Sequence, residues 1–320
     1  MLLFGLAKSN NCRSFEDSME SSKQKAYFAL FIVCIVWGVS WVGTKAAVRD
    51  MPPVQMVGIR QVIAGLAYVL FFLFRGDGLP KKKDWYPILF LSFLNFMISN
   101  GLATWGVKLT TAGLSSILGA MFPLWLVIIL TLRGGSKIPA LAWIGILLGF
   151  GGVCIVFYDH LYELFDPGFR FGVILGLIAA LSWAIGTIYT KEFALSFNPY
   201  HSIGWQMLIS GIVLNIIAKA SGNSIPLKEV SLYAWGAIAF LVVVSSIIAF
   251  IAYLYALQKL PTGLVSIYAY INPIVAVITG SLFIDERVTV IMLLGAIVTI
   301  SGVYLVNRSL RKETDEIRPA

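Results

Sequence analysis

With 58% hydrophobic and only 12% charged residues, and a mean hydropathy of +0.85, this 320-residue chain has too little polar surface to fold in water and reads as a membrane protein. Its net charge of +8 would suit nucleic acid, but most lysines and arginines sit in short loops and tails between apolar runs, which is the footprint of membrane topology. Three cysteines (Cys12, Cys34, Cys154) and two isolated histidines (His160, His201) make neither a disulfide framework nor a metal site.

Residues 1–25 read as a cytoplasmic tail. The apolar start Met1–Ala7 is too short for a signal-peptide core, and residues 1–18 read as a dispensable extension or a misassigned start before Met19. Ten apolar runs follow near 26–48, 54–74, 85–107, 111–132, 138–158, 171–191, 200–219, 232–257, 262–284 and 289–307. Each is long enough to cross about 30 Å of hydrocarbon, and none alternates as a barrel strand would, so the prediction is ten transmembrane helices. With the N-terminus inside, the cytoplasmic segments hold sixteen lysines and arginines and the opposite side six. That places both termini in the cytoplasm, with Lys45 and Arg60 inside the membrane.

The chain repeats. At an offset of 146 residues Trp37 falls on Trp183, Thr44 on Thr190, Lys45 on Lys191, Pro53 on Pro199, Gly58 on Gly204 and Gly65 on Gly211. At an offset of 150, Gly113 meets Gly263, Pro123 meets Pro273, Gly145 meets Gly295 and Gly152 meets Gly302. The units are 26–158 and 171–307, joined by a loop at 159–170 and followed by a cytoplasmic tail at 308–320. Five helices per unit is an odd number, so the expected architecture is two inverted five-helix repeats around a central cavity. Gly113 to Pro123 and Gly263 to Pro273 form a matched pair of interrupted segments. Each proline is expected to kink its helix at the same depth, making hinges beside a binding site.

The motifs Trp37-Gly38 with Ser40, Arg60, Thr111-Ala-Gly113 with Pro123, Leu260-Pro-Thr-Gly263 with Pro273, and Asp285-Glu286 before Gly295 resemble the drug/metabolite transporter superfamily, specifically its ten-helix EamA exporter branch. The resemblance runs from about Phe28 to Val306 and implies ten helices, cytoplasmic ends and a cavity between the halves. Two departures stand out: Ser136 matches Glu286, and Arg60 matches Gln206, so the halves are electrostatically unequal.

Arg60 is the charge deepest inside a predicted span, where burial is costly. It is expected to contact ligand or gate, to bond backbone carbonyls or Gln206, or to snorkel outward. Trp37 and Trp41 share a helix face that Trp183 and Thr187 repeat in the other half. With Arg60, Ser99, Asn100, Trp105, Gln206, Tyr255 and Tyr268 they form the predicted substrate-binding set. Asn95 is expected to find hydrogen-bond partners between helices or in the cavity, Asn272 to bond the carbonyls that Pro273 frees, and Glu286 to cap a helix or pair with Arg287. The glycines at 145, 149, 152, 295 and 302 are expected to pack the fifth and tenth helices within their own halves, with homodimerisation the weaker alternative.

No carboxylate lies inside a span, which argues against proton-coupled export of cationic drugs. No cluster of His, Asp, Glu or Cys supports an intramembrane enzyme, and no cofactor or metal is expected. The reading is a secondary transporter in the bacterial inner membrane, exporting amino acids or similar zwitterionic or neutral metabolites by alternating access. The alternative is a flippase or carrier for a lipid-linked sugar or nucleotide sugar. Its partners would be a small-molecule substrate and the bilayer, with no nucleic acid, and the protein would be a monomer or weak homodimer.

Overall fold

The computed structural model of the chain describes residues 3–133, 139–158, 162–192, 197–260, 262–265 and 267–316. Among them there are helices and connecting turns but no strand. Lipid cannot hydrogen-bond exposed backbone, so apolar runs of this length close their amides within the helix.

In order, the helices are α1 (Leu3–Ala47), α2 (Pro53–Phe74), α3 (Lys82–Leu91), a π-helical segment π1 (Ser92–Asn100), α4 (Gly101–Leu109), α5 (Ala112–Gly119), α6 (Phe122–Leu132) and α7 (Ala140–Tyr158). The second part repeats the plan with α8 (Pro167–Glu192), α9 (Pro199–Ala220), α10 (Leu232–Phe240), π2 (Leu241–Ile248), α11 (Ala249–Lys259), α12 (Thr262–Val265), α13 (Tyr268–Phe283) and α14 (Val290–Glu316). Helix α1 therefore runs back through the predicted N-terminal tail, and α14 continues past residue 307.

Among the described residues, seven stretches are both long and apolar enough to cross a membrane: Ser22–Ala47, Pro53–Phe74, Lys82–Leu109, Ala112–Ile129, Pro167–Thr190, Pro199–Ala220 and Leu232–Lys259. Shorter apolar helices at Ala140–Val156, Tyr268–Phe283 and Val290–Val306 take the fifth, ninth and tenth places. Phe31, Leu147, Ile216 and Leu282 are large apolar side chains left exposed on the outside, as a lipid-facing surface requires.

Helices α2 and α9 cross antiparallel through glycine. A Cβ at Gly211 would stand 2.8 Å from the Gly58 carbonyl, and one at Gly65 2.8 Å from the Gly204 carbonyl. Helices α7 and α14 do the same, with Gly145 against the Gly302 carbonyl at 2.6 Å and Gly152 against the Gly295 carbonyl at 2.7 Å. Without side chains the backbones approach closely enough for dispersion to act over the whole seam. The fifth and tenth segments thus pack on each other across the two sequence repeats, while Gly149 also faces Leu124 of its own repeat, where a Cβ would stand 2.5 Å from its Cδ1.

Neither proline sits at the break between the helices of its segment. Helix α5 stops at Gly119 and α6 starts at Phe122, so Pro123 lies in a first turn, where a missing N–H costs little. Tight turns from Met121 N to Leu118 O (3.1 Å) and Leu124 N to Met121 O (3.0 Å) bridge the gap. Pro273 stays inside α13, while the interruption precedes Tyr268. Gly263 belongs to the short α12, and Gly113 to the first turn of α5.

Both broad π segments open carbonyls that ordinary α-helix would consume. In π1, the Ser182 hydroxyl donates to the Leu94 carbonyl (2.7 Å) and Gln61 Nε2 to the Phe96 carbonyl (3.1 Å). In π2, Tyr68 Oη donates to the Ile247 carbonyl (2.8 Å) and Trp37 Nε1 to the Ser245 carbonyl (3.3 Å).

Candidate functional site

A cavity of about 170 Å³ lies between the two sequence repeats, walled by α1, α2, π1, α4, α5, α6, α8, π2, α11 and α13. One wall is aromatic. Trp37 lies at its centre, with ring centroids 5.0 Å from Tyr268, 5.1 Å from Phe250 and 5.0 Å from Tyr253. Phe122 stacks on Tyr268 at 5.9 Å and 9°. Edge-to-face and stacked rings of this kind hold each other rigid. Trp41 occupies space that Gly119 leaves free, since a Cβ there would stand 2.8 Å from its indole. Trp183 completes this wall.

The rest of the lining sets small apolar residues, Ala103, Val107, Gly176, Ala179, Ala180 and Ala269 among them, beside hydroxyls and amides from Ser40, Thr44, Ser99, Asn100, Thr104, Ser115, Ser116, Ser245 and Asn272, together with Arg60. Several are partly satisfied within their own helix: Ser40 Oγ donates to Trp37 O (2.7 Å), Ser116 Oγ to Gly113 O (2.6 Å) and Asn100 Nδ2 to Asn95 O (2.8 Å). With its amide turned to suit its neighbours, Asn272 donates to the carbonyls of Tyr268 and Cys34, each at 3.0 Å.

Arg60 does not snorkel, and it meets neither Gln206 nor a backbone carbonyl. It is buried, with Nε donating to Ser246 Oγ (2.8 Å) and Nη2 to Ser245 Oγ (3.1 Å). Ser245-Ser246 interrupts an apolar run in the eighth segment, a signal the residue-type reading passed over. Among the described residues no carboxylate pairs with this guanidinium, and no other lining residue is charged.

Of the predicted set, Trp37, Trp41, Arg60, Ser99, Asn100, Trp183 and Tyr268 border the cavity. Four do not. Trp105 lies one residue off the face formed by Ala103, Thr104 and Val107, and packs edge-on against Phe171 at 5.4 Å. Thr187 continues the Trp183 face beyond the cavity and bonds the Trp183 carbonyl (2.8 Å). Gln206 is buried and turns to Ser202 Oγ on its own helix (3.0 Å). Tyr255 packs against the apolar cluster around α1 and α11.

Beyond the Thr44 and Ser115 end of the cavity, two charges clamp the junction between α4 and α5. Lys45 Nζ donates to the carbonyls of Val107 (2.9 Å), Lys108 (3.2 Å) and Thr110, at the negative end of α4. Glu286 accepts from the amides of Ala112 (2.6 Å) and Gly113 (3.1 Å), at the positive end of α5, where Thr111 Oγ1 also takes the Leu114 N–H (3.0 Å). Glu286 is therefore a cap, but of a helix in the other repeat. Asp285, at φ 53°, makes the left-handed turn that aims it there.

A family model described as the EamA-like transporter family matches the chain twice, over residues 24–158 and 170–308. The chain is 30% identical over 279 residues to the "Uncharacterized inner membrane transporter YedA" of Escherichia coli (strain K12), covering 87% of this chain and 89% of that one. It is 28% identical to the "Uncharacterized transporter YvbV" of Bacillus subtilis (strain 168), covering 89% and 92%. A solved crystal structure superposes with a TM-score of 0.64 at 16% identity, covering 90% of this chain and 97% of its own, and shares the fold.

Proposed function

The chain belongs to the EamA-like transporter family, and on that premise we propose that it is a secondary transporter exporting compact organic metabolites, amino acids among them, by alternating access. The observation that supports this most is the partly open cavity of aromatic, polar and small apolar side chains lined from both repeats. At about 170 Å³ it falls below the roughly 300–1,000 Å³ usual for drug-sized ligands, which favours a compact metabolite over a lipid-linked or nucleotide sugar.

In this reading all ten apolar helices cross the bilayer, the three shorter ones included, and the five-helix units are inverted copies. The reciprocal glycine contacts support it. Gly58 faces Gly211 while Gly65 faces Gly204, and Gly145 faces Gly302 while Gly152 faces Gly295. Reciprocity of that kind is what a two-fold relation between copies generates. Both termini are then cytoplasmic, the membrane is the bacterial inner membrane, and the protein acts as a monomer because its glycine faces are engaged internally. One unit rocking against the other would carry the cavity from one side to the other.

The test is access. In a background without Cys12, Cys34 and Cys154, a Ser40→Cys variant is expected to react with a membrane-impermeant maleimide from either face of oriented vesicles. Reaction from one face alone would refute alternating access. Proteoliposomes preloaded with labelled amino acids test the cargo, and retention of every one of them would remove amino acids from the class.

A further inference from the structure

Among the described residues Arg60 is the one charged residue on the cavity wall, and its neighbours there leave that charge unanswered. Two of its N–H groups go to Ser245 and Ser246. A guanidinium carries five donors, so three remain. Hydroxyls accept hydrogen bonds but do not neutralise a cation, and a full charge held this deep in a membrane is costly without an anion. No carboxylate lines the cavity, so a ligand ammonium would find no ionic partner there. Beside Arg60 stands the aromatic group of Trp37, Phe250 and Tyr268, with Trp37 Nε1 donating to the carbonyl of the same Ser245 that Arg60 bonds, and it is suited to an apolar body.

We propose that the cavity is an organic-anion site, in which the carboxylate of a compact, apolar-bodied substrate pairs with Arg60 while the aromatic wall receives the rest. This rests on the transporter reading and narrows it. The site selects organic monocarboxylates over zwitterions, because a zwitterion must bury its ammonium unpaired. Neutral analogues bind through the aromatic wall alone, and organic cations are excluded. Arg60 meets the carboxylate with its free donors, since a planar fork matches a carboxylate in two bonds.

Four probes with one phenyl body separate the charges: 3-phenylpropionate, phenylalanine, 3-phenylpropionamide and 3-phenylpropylamine. Binding is measured by titration calorimetry on the full chain in lipid nanodiscs. The carboxylate is expected to bind roughly 10- to 100-fold more tightly than the amide, the worth of one charge-assisted bond. Phenylalanine should fall between them, and the amine should not bind. Arg60→Gln should bring carboxylate and amide together, with the amide unchanged, and Arg60→Lys should keep part of the preference.

Equal affinity of carboxylate and amide in the wild type overturns the proposal without recourse to any variant. So does a preference that survives Arg60→Gln, phenylalanine as the tightest ligand, or no binding by any probe. Access of Ser40→Cys from both faces is read independently, so the organic-anion site can fail while the transporter reading stands.

Discussion

Helices α2 and α9 share one frame and differ in charge. Each begins with a proline, at Pro53 and Pro199, and each is followed by a left-handed glycine, Gly76 at φ 88° and Gly222 at φ 70°. They lie against each other through Gly58, Gly65, Gly204 and Gly211. At matching places, however, one carries Arg60 and the other Gln206. Arg60 reaches out to the hydroxyls of π2, whereas Gln206 folds back on Ser202, and its own carbonyl accepts from Ser92 of π1 at 2.8 Å. The frame closes around a neutral residue on one side, so it does not need a cation on the other. In the organic-anion proposal, the charge of Arg60 answers to what enters the cavity.

The sharpest way to break this comparison is to strand the charge. Replacing Ser245 and Ser246 together by alanine removes both acceptors of Arg60, and bonds to a charged group contribute about 1.5–3 kcal/mol each. A loss of about 3 kcal/mol or more is expected in thermal unfolding of the purified protein. A loss no larger than at Ser202 would mean that the two sides are energetically alike after all.

The shared frame is tested next. A Cβ at Gly211 would come within 2.5 Å of the Val62 amide nitrogen, a backbone atom that cannot swing aside. Gly211→Ala should cost about 1–3 kcal/mol through overpacking, and Gly65→Ala should cost a similar amount because it meets the same seam from the other helix. If only one of the pair destabilises, the seam is not reciprocal and the two-fold relation proposed for the halves loses its support.

What the sequence made legible follows from what lipid imposes. Run length and the scarcity of charge fix an all-helical membrane protein, because only self-satisfied helices of that length survive in hydrocarbon. The rare residues Trp37, Arg60 and Trp183 pointed at the cavity because a large or charged side chain in a span needs a reason to be there. Contacts between distant segments were not legible in this way. Hydropathy gives no neighbours, so it does not show that most glycines of α7 and α14 meet across the two repeats. Nor does it show that Pro123 begins a helix after a break, or that Ser245 and Ser246 meet Arg60 from 185 and 186 residues away. Trp105 is a tryptophan inside a span, as Trp37 is, but it misses the cavity face by one residue.

A second inequality between the repeats sits at the α4–α5 junction. Glu286 has Ser136 as its sequence counterpart, which lies outside the described residues, so the comparison can be drawn only from the acidic side. Glu286→Gln keeps the shape and removes the charge that holds the amides of Ala112 and Gly113. About 1–2 kcal/mol should be lost, and the loss should shrink at high salt if the helix dipole is its source. A salt-independent loss would assign the effect to hydrogen bonding alone.

The smallest effect is expected at Ser202, and it calibrates the others. Its hydroxyl accepts from the neutral amide of Gln206 at 3.0 Å, both residues lying on α9 one turn apart. A neutral bond contributes little because the unfolded chain satisfies the same groups elsewhere, so Ser202→Ala should cost about 0.5–1 kcal/mol. Ser202 does not border the cavity, and transport should be untouched. The contrast with the Ser245 and Ser246 pair then isolates the charge, because each case removes serine acceptors from a residue at the same place in its repeat. If Ser202→Ala proves as costly as stranding Arg60, the cost belongs to the packing of serine in these helices, and the case for a charge kept for the substrate would rest on binding alone.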